Sequence, residues 1–261
     1  MIDLTLIDLS LAASLVLLLA WLSSKISKDL SRQVLIAALR TTVQLFLLGL
    51  VLKVIFSTTN LLWITLMSMV MLLVAGREVM VRQGRRFSGF WSFGVGTASM
   101  FVSSFAVTLF ALVLIIGNHP WYEPQYAIPL LGMLLGNTMN GVAIAMDRLT
   151  QMAWQRRGEI EARLMLGDSE REAIADICKE SIRSGLIPIL NAMTVAGVVS
   201  LPGMMTGQIL AGAAPEDAVR YQILIMFLIA SGTGMGTMTA VWFSSRRLFD
   251  ERQRLRLDRL K

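Results

Sequence analysis

The stretch Phe87–Asn118, FSGFWSFGVGTASMFVSSFAVTLFALVLIIGN, contains no Asp, Glu, Lys or Arg. About 20 consecutive apolar residues in a helix cross the hydrocarbon core of a bilayer. The run therefore predicts one long span, best placed from Trp91 to Gly117. Moving outward, similar runs lie at Leu4–Ser24, where only Asp8 is charged, and at Gln33–Phe56, Leu61–Gly76, Tyr126–Met146, Ser184–Pro215 and Tyr221–Ser245. A short Ser57–Asn60 turn separates the second from the third. Gln33–Phe56 carries Arg40 near one end and Lys53 near the other, where long basic side chains can reach the headgroups. Pro202-Gly203 interrupts the sixth run. The reading is an all-α polytopic membrane protein of about seven transmembrane helices.

Composition agrees. The 261 residues are 55% hydrophobic and 16% charged, with a mean hydropathy of +0.63. A soluble domain carries about a quarter charged residues. A soluble enzyme, a disordered chain and a disulfide scaffold are excluded. The one cysteine, Cys178, cannot form an internal disulfide, and the one histidine, His119, cannot build a His-rich metal site.

The charges set an orientation. Of the 24 Lys and Arg, all but Lys53 and Arg220 fall in or beside the first, third and fifth connections and the tail from Arg246 to Lys261. Seven spans place those four regions on one side. The positive-inside rule then predicts an outside N-terminus and a cytoplasmic C-terminus. The net charge of +6 is explained by topology, so no nucleic-acid partner is expected. The acidic start, Asp3 and Asp8, does not read as a secretory signal, and the first span is expected to stay. The tail 246–261 predicts a basic amphipathic helix on anionic lipid, with Leu248, Leu255 and Leu260 towards the membrane.

The largest segment outside the spans runs over 147–183. Ile160, Leu164, Met165 and Met152 suggest the apolar stripe of a first helix. Gly167 suits its C-terminal cap, because glycine takes the left-handed conformation at low cost. Ser169-Glu170-Arg171-Glu172 reads as a capping box that opens a second helix, with Ala173, Ile174, Ile177 and Cys178 on its apolar face. Such a helix–turn–helix is either a plain connector or a docking element for a cytoplasmic partner. ABC permeases dock their ATPase with the pattern E-A-A-x-x-x-G, nine residues, then I-x-L-P. Glu161-Ala162-Arg163-Leu164-Met165-Leu166-Gly167 matches except at Arg163. Ile177 also fits, and Lys179 and Glu180 depart. Within this hairpin Glu161, Ala162, Leu166, Gly167, Asp168, Ser169 and Glu172 are the candidate coupling residues.

Three further stretches carry a resemblance over nearly the whole chain. They are Arg40-Thr41-Thr42-Val43-Gln44-Leu45-Phe46-Leu47-Leu48-Gly49, Ile128-Pro129-Leu130-Leu131-Gly132-Met133-Leu134-Leu135-Gly136-Asn137 and Val198-Val199-Ser200-Leu201-Pro202-Gly203-Met204-Met205-Thr206-Gly207. With Leu166-Gly167 and Tyr221-Gln222-Ile223, the chain resembles the FetB family of small ABC permeases, which has plant relatives linked to aluminium tolerance. The resemblance implies a single transmembrane permease domain over 1–261, including the coupling hairpin and the basic tail. It implies a dimerising subunit in the bacterial cytoplasmic (inner) membrane that pairs with a separate FetA-like ATPase. It also implies iron export, with a role in metal homeostasis and oxidative stress resistance. The residues agree on one point: no G-x4-G-K-[ST] phosphate loop occurs in the chain. No cofactor is expected on this chain, and ATP and Mg would be used by the partner.

Polar groups within spans mark candidate pathway residues, because lipid does not solvate them. Asn137 and Asn140 share a helix face, and Asn191 and Thr194 repeat that spacing. Arg40 and Gln44 are one turn apart and suit a cytoplasmic vestibule. Pro202, Gly203, Met204 and Met205 mark a broken segment that is either a re-entrant piece or a helix end. The Ser231, Thr233 and Thr237 set among Gly232, Gly234 and Gly236 suits close helix packing. The pathway is expected at a subunit interface or among spans five to seven. No carboxylate cluster suggests a hard metal site, and metal ligands stay unassigned. Methionine thioethers favour soft ions, although most of the 17 methionines suit packing. The alternatives are a gradient-driven transporter and an ABC permease for another substrate. No paired carboxylates, H-E-x-x-H or Ser/His pair suggests an enzyme.

Overall fold

The computed structural model describes residues 5–56 and 60–261. The start of the first predicted span at Leu4 and the turn residues Ser57, Thr58 and Thr59 lie outside them. The chain divides into two compact units, Met1–Thr59 and Asn60–Lys261. Among the described residues there are helices, turns and isolated bridges, and no strands.

The first unit is a helical hairpin, α1 (Leu6–Ser24) and α2 (Lys28–Ile55). Asp8 is explained locally. Its carboxylate accepts from the Thr5 N–H at 2.8 Å, while the Asp8 N–H donates to Thr5 Oγ1 at 3.4 Å. This reciprocal box satisfies free donors of the first turn, so the charge belongs to a helix end.

The second unit begins with α3 (Leu61–Arg82), capped where the Leu62 N–H donates to Asn60 Oδ1 at 2.9 Å. The uncharged run then forms one continuous helical stretch, Trp91–Ile116. It comprises α4 (Trp91–Met100), a π turn (Phe101–Phe105), α5 (Ala106–Phe110) and a second π turn (Ala111–Ile116) that ends at Gly117, φ +65°. After it come α6 (Pro124–Gln155), α7 (Arg157–Met165), α8 (Glu170–Val195), α9 (Gly203–Leu210) and α10 (Pro215–Arg247). Prolines open α6 and α10, where a missing N–H costs no helical bond.

Six of these helical stretches are long and apolar enough to cross a membrane: α1, α2, α3, Trp91–Ile116, α6 and α10. The predicted sixth span, Ser184–Pro215, is different. Its helix begins earlier, at Glu170, inside the charged hairpin, and stops at Val195. Gly197 then turns the chain with φ +79°, and residues 196–202 are irregular before Pro202 opens α9. The break therefore starts before Pro202-Gly203, where Ala196 leaves the helix in an extended conformation and Gly197 reverses the backbone.

Contacts fix the directions of the helices. Ser92 Oγ donates to Gln83 Oε1 at 3.2 Å, and Gly76 lies against Phe93, so α4 runs against α3. Met71 lies at Gly132 and Gln83 at Met146, so α6 runs with α3. Gly185 meets Gly141 and Glu180 pairs with Arg148, so α8 runs against α6. Gly232 meets Leu134 and Thr237 meets Gly141, so α10 runs with α6. The second unit is thus an up-and-down alternation in which α8 provides the return between α6 and α10. By its register, α8 ends level with the Leu131–Met133 turn. That is about two turns, roughly 11 Å, short of the start of α6.

The seam between α6, α8 and α10 is built from small residues. A Cβ on Gly185 would stand 2.6 Å from the Gly141 carbonyl oxygen, and one on Gly236 would stand 2.5 Å from Thr138 Cγ2. Thr138, Thr237 and Ser244 are fully buried there. The Ser/Thr/Gly pattern of α10 thus serves packing, which membrane helices obtain by close backbone approach rather than by a hydrophobic drive.

The tail is not the predicted surface helix. Leu248, Phe249 and Leu260 are buried with Phe87, Leu149, Ile160, Ile174 and Ile177. The Lys261 N–H donates to the Arg86 carbonyl at 2.8 Å, and the Arg86 N–H returns a bond to Lys261 O at 3.0 Å. The leucines expected in lipid instead fill a core shared with the hairpin. Asp250 organises the loop, accepting from the Arg252 and Arg254 N–H groups and from Arg254 Nε, each at 2.9 Å.

Two outcomes follow. Gly185→Ala should lower the thermal midpoint in detergent, with overpacking costing about 1–3 kcal/mol. Gly234→Ala, where nothing lies within 4 Å of the added Cβ, should leave it unchanged or raise it. The second concerns acid. The Arg254 N–H, with the Arg254 guanidinium and the Arg252 N–H, holds the Asp250 carboxyl at about 2, below the ordinary 3.8. A depressed carboxyl stabilises the fold above its unfolded value and loses that effect as pH falls through the folded one. Hydrogen-exchange protection of 250–256, corrected for intrinsic rates, should hold from pH 7 to about 4 and fall towards pH 2. Asp250→Asn should show reduced protection already at pH 7.

Candidate functional site

The hairpin is assembled as its capping residues dictate. Gly167, at φ +101°, takes the chain out of α7. Ser169 Oγ accepts from the Glu172 N–H at 3.4 Å, and the Ser169 N–H donates to Glu172 Oε2 at 2.9 Å. Arg163 crosses the turn and binds Asp168 at 2.8 Å and Asp176 at 3.3 Å. The Asp168 hydrogen bond raises the Arg163 guanidinium above its ordinary value, with the charges of Asp168 and Asp176 adding to it.

Beneath the turn, Ile160, Ala173, Ile174 and Ile177 are buried against Leu149, Met152, Ala153, Leu248 and Leu260. Burying each isoleucine contributes about 2 kcal/mol. Met152 belongs to α6 and lies in this core, and not on the first hairpin helix. Met165, expected on the buried stripe, is 83% exposed, and Leu166 is 86% exposed. They form an apolar tip on a rigid base. Sequence reasoning missed the other wall of this surface. A groove of about 700 Å³ runs between Glu161, Leu164, Met165 and Asp168 on one side and the tail residues Glu251–Leu255 on the other. Only the folded-back tail could reveal it.

The candidate pathway residues fall in three places, the exposed face of α6 and α8, α2, and the start of α9. Asn137 and Asn140 face out of the bundle and not into it. Asn137 Nδ2 donates to the Met133 carbonyl at 2.9 Å, and Asn140 Oδ1 accepts from the Arg82 guanidinium at 2.6 Å. The buried neighbour is Thr138. Asn191 and Thr194 are also exposed, and Thr194 Oγ1 donates to the Leu190 carbonyl at 2.8 Å. The antiparallel register that pairs Arg148 with Glu180 puts Asn191 level with Asn137, so α6 and α8 show asparagines at one depth. Arg40 and Gln44 are exposed on α2, in the separate first unit.

Pro202, Gly203, Met204 and Met205 lie at the start of α9. The Met205 N–H donates to Gln222 Oε1 of α10 at 3.3 Å, and Gln222 is 8% exposed. This glutamine satisfies a free donor of the short helix, a role that its place in an apolar helix hinted at only through the cost of burying it. A cavity of about 520 Å³ opens here, lined among others by Met193, Gly197, Pro202, Met205, Gln222 and Met226. Glu123, in the loop before α6, accepts from Asn118 Nδ2 at 3.1 Å. Among the described residues no three His, Cys, Asp or Glu side chains gather where they could hold a metal ion.

Comparison with known proteins agrees with this architecture. Residues 6–249 match the model of the uncharacterised protein family UPF0014. The chain is 42% identical to the UPF0014 membrane protein slr1647 of Synechocystis over 233 residues, 87% of each chain. It is 32% identical to the Escherichia coli protein named probable iron export permease protein FetB, over 97% of this chain and 96% of the other. It is also 32% identical to ALUMINUM SENSITIVE 3 of Arabidopsis thaliana, over 88% and 83% respectively. No solved structure matches it. A family model that covers residues 6–249, and relatives 32–42% identical over most of their length, establish that this polytopic membrane protein belongs to the UPF0014 family.

Proposed function

We propose that the chain is the membrane subunit of an ABC transporter, energised by a separate ATPase that docks on the α7–α8 hairpin. The observation that carries this reading is the apolar tip Met165-Leu166, exposed to water on a base that is itself buried and ion-paired. Two exposed large apolar side chains at a turn favour a partner surface. Force applied there passes directly into α8, which is wedged against α6 and α10. The hairpin, the α3–α4 loop and the tail share one end of the second unit. That end is the cytoplasmic one in this reading, in the bacterial inner membrane, with the N-terminus outside.

The active unit in this reading is a homodimer. Asn137, Asn140 and Asn191 are exposed, and the amide donors and acceptors that their contacts leave free are costly against lipid; a second copy would cover them and enclose a polar path. The cavity at the break in the α8–α9 leg suits an outer gate, since irregular backbone at membrane depth is tolerated where protein or water covers it. The substrate class is a metal cation leaving the cell, with iron as the first candidate because it is the ion named for the Escherichia coli relative.

Three measurements bear on this reading. Met165→Asp with Leu166→Asp, both on exposed positions, should leave membrane insertion and thermal midpoint intact and reduce ATPase co-purification by about tenfold or more. Deleting the hairpin or making Gly167→Pro should abolish it. Undiminished capture of the ATPase by these variants overturns the docking claim. Gln222→Leu, which frees the Met205 N–H, should lower transport of iron by proteoliposomes holding both subunits while ATPase binding stays unchanged. Transport by this chain without nucleotide would overturn the ABC reading itself.

A further inference from the structure

A groove of about 700 Å³ between α3, the α3–α4 loop and the start of α4 belongs to neither the hairpin surface nor the broken leg. Its lining is mostly apolar, with Leu73, Val74 and Phe93 on one wall, and it also includes the basic residues Arg77, Arg86 and Lys261. No Asp or Glu lines it. Leu73 is 44% exposed and Val74 50% exposed, on a helix apolar enough to span the membrane. The three cations therefore stand at the edge of an apolar band. That level is marked independently beside the groove, where the Arg247 guanidinium lies 4.3 Å from the centre of the Trp91 ring. Tryptophan with a basic partner is typical of headgroup depth.

We propose that this groove binds an anionic phospholipid. Its phosphate would sit among Arg77, Arg86 and Lys261, and one acyl chain would run along Leu73, Val74 and Phe93. Basic pockets at the ends of membrane helices suit anionic headgroups. A neutral lipid would leave the excess positive charge uncompensated, and a free phosphate would leave the apolar wall wet. The position has a consequence for the platform. The Arg86 and Lys261 main chains are hydrogen-bonded to each other, and Phe87, next in sequence, is buried beneath the hairpin. A headgroup held by both side chains would tie the tail to the loop a second time and stiffen the base of the hairpin. The proposal rests on the membrane location alone, independent of the transport reading.

The test is native mass spectrometry of the full chain in detergent, with phosphatidylglycerol, phosphatidylcholine or inorganic phosphate added. Phosphatidylglycerol should be retained selectively and should raise the thermal midpoint. Arg77→Gln with Lys261→Gln should weaken retention roughly fivefold for each charge removed. Val74→Glu, which keeps all three cations, should also expel the lipid, while Arg220→Gln at the other end of the bundle should not. Equal retention of phosphatidylcholine, undiminished retention by either groove variant, or displacement by equimolar inorganic phosphate overturns the site.

Discussion

The contact on which the second unit depends is the meeting of Gly141 with Gly185. The Gly185 backbone lies so near the Gly141 carbonyl that no side chain fits between α6 and α8. On its other side Gly185 meets Thr237, which brings α10 into the same seam. In lipid there is little hydrophobic gain from pressing one apolar helix on another, so dispersion at close range has to hold the helices together. A three-helix seam of glycine, threonine and serine provides that range.

The seam also explains why a charged hairpin and an apolar bundle form one mechanical object. α8 begins as the second arm of the hairpin and reaches the seam at Gly185, one turn before its interior Pro188. Its first half carries Glu180, paired with Arg148 of α6, and its second half carries Gly185 and Ile189. Its internal hydrogen bonds resist bending as far as Pro188, which has no N–H to donate and lets the helix bend. The tail and the Phe87 loop wedge the hairpin from beneath. A partner that moved the Met165-Leu166 tip would therefore move the part of α8 before Pro188, which includes Glu180 and Gly185, as a body. Pro188 and the irregular residues 196–202 are the two places beyond Gly185 where helical bonding fails.

The sequence was most legible where one residue decides one local event. Gly167 and the Ser169–Glu172 box set the hairpin turn through backbone conformation and donor capping, which depend on a few neighbouring residues. It was least legible where a side chain has two acceptable surroundings. Asn137 and Asn140 lie three residues apart, which fixes that they share a face but not which face. The buried position went to Thr138 because a small hydroxyl fits against Gly232 and Gly236 and an amide does not. Leu248 and Leu260 could lie on lipid or on protein at similar gain, and the available gap beneath Ile160 settled the matter.

By itself the sequence determined that the chain is a bundle of membrane-crossing helices with its charge gathered at their ends. Uncharged stretches of that length have only one stable arrangement in a bilayer, and local capping rules need no distant partner. The tertiary structure decided what periodicity cannot encode. It set where α8 stops, that the tail folds back onto Arg86, and which asparagines face outward. Each of these turns on whether a neighbouring helix offers a gap, a carbonyl or a glycine at the right height, and that follows from how the helices pack against one another.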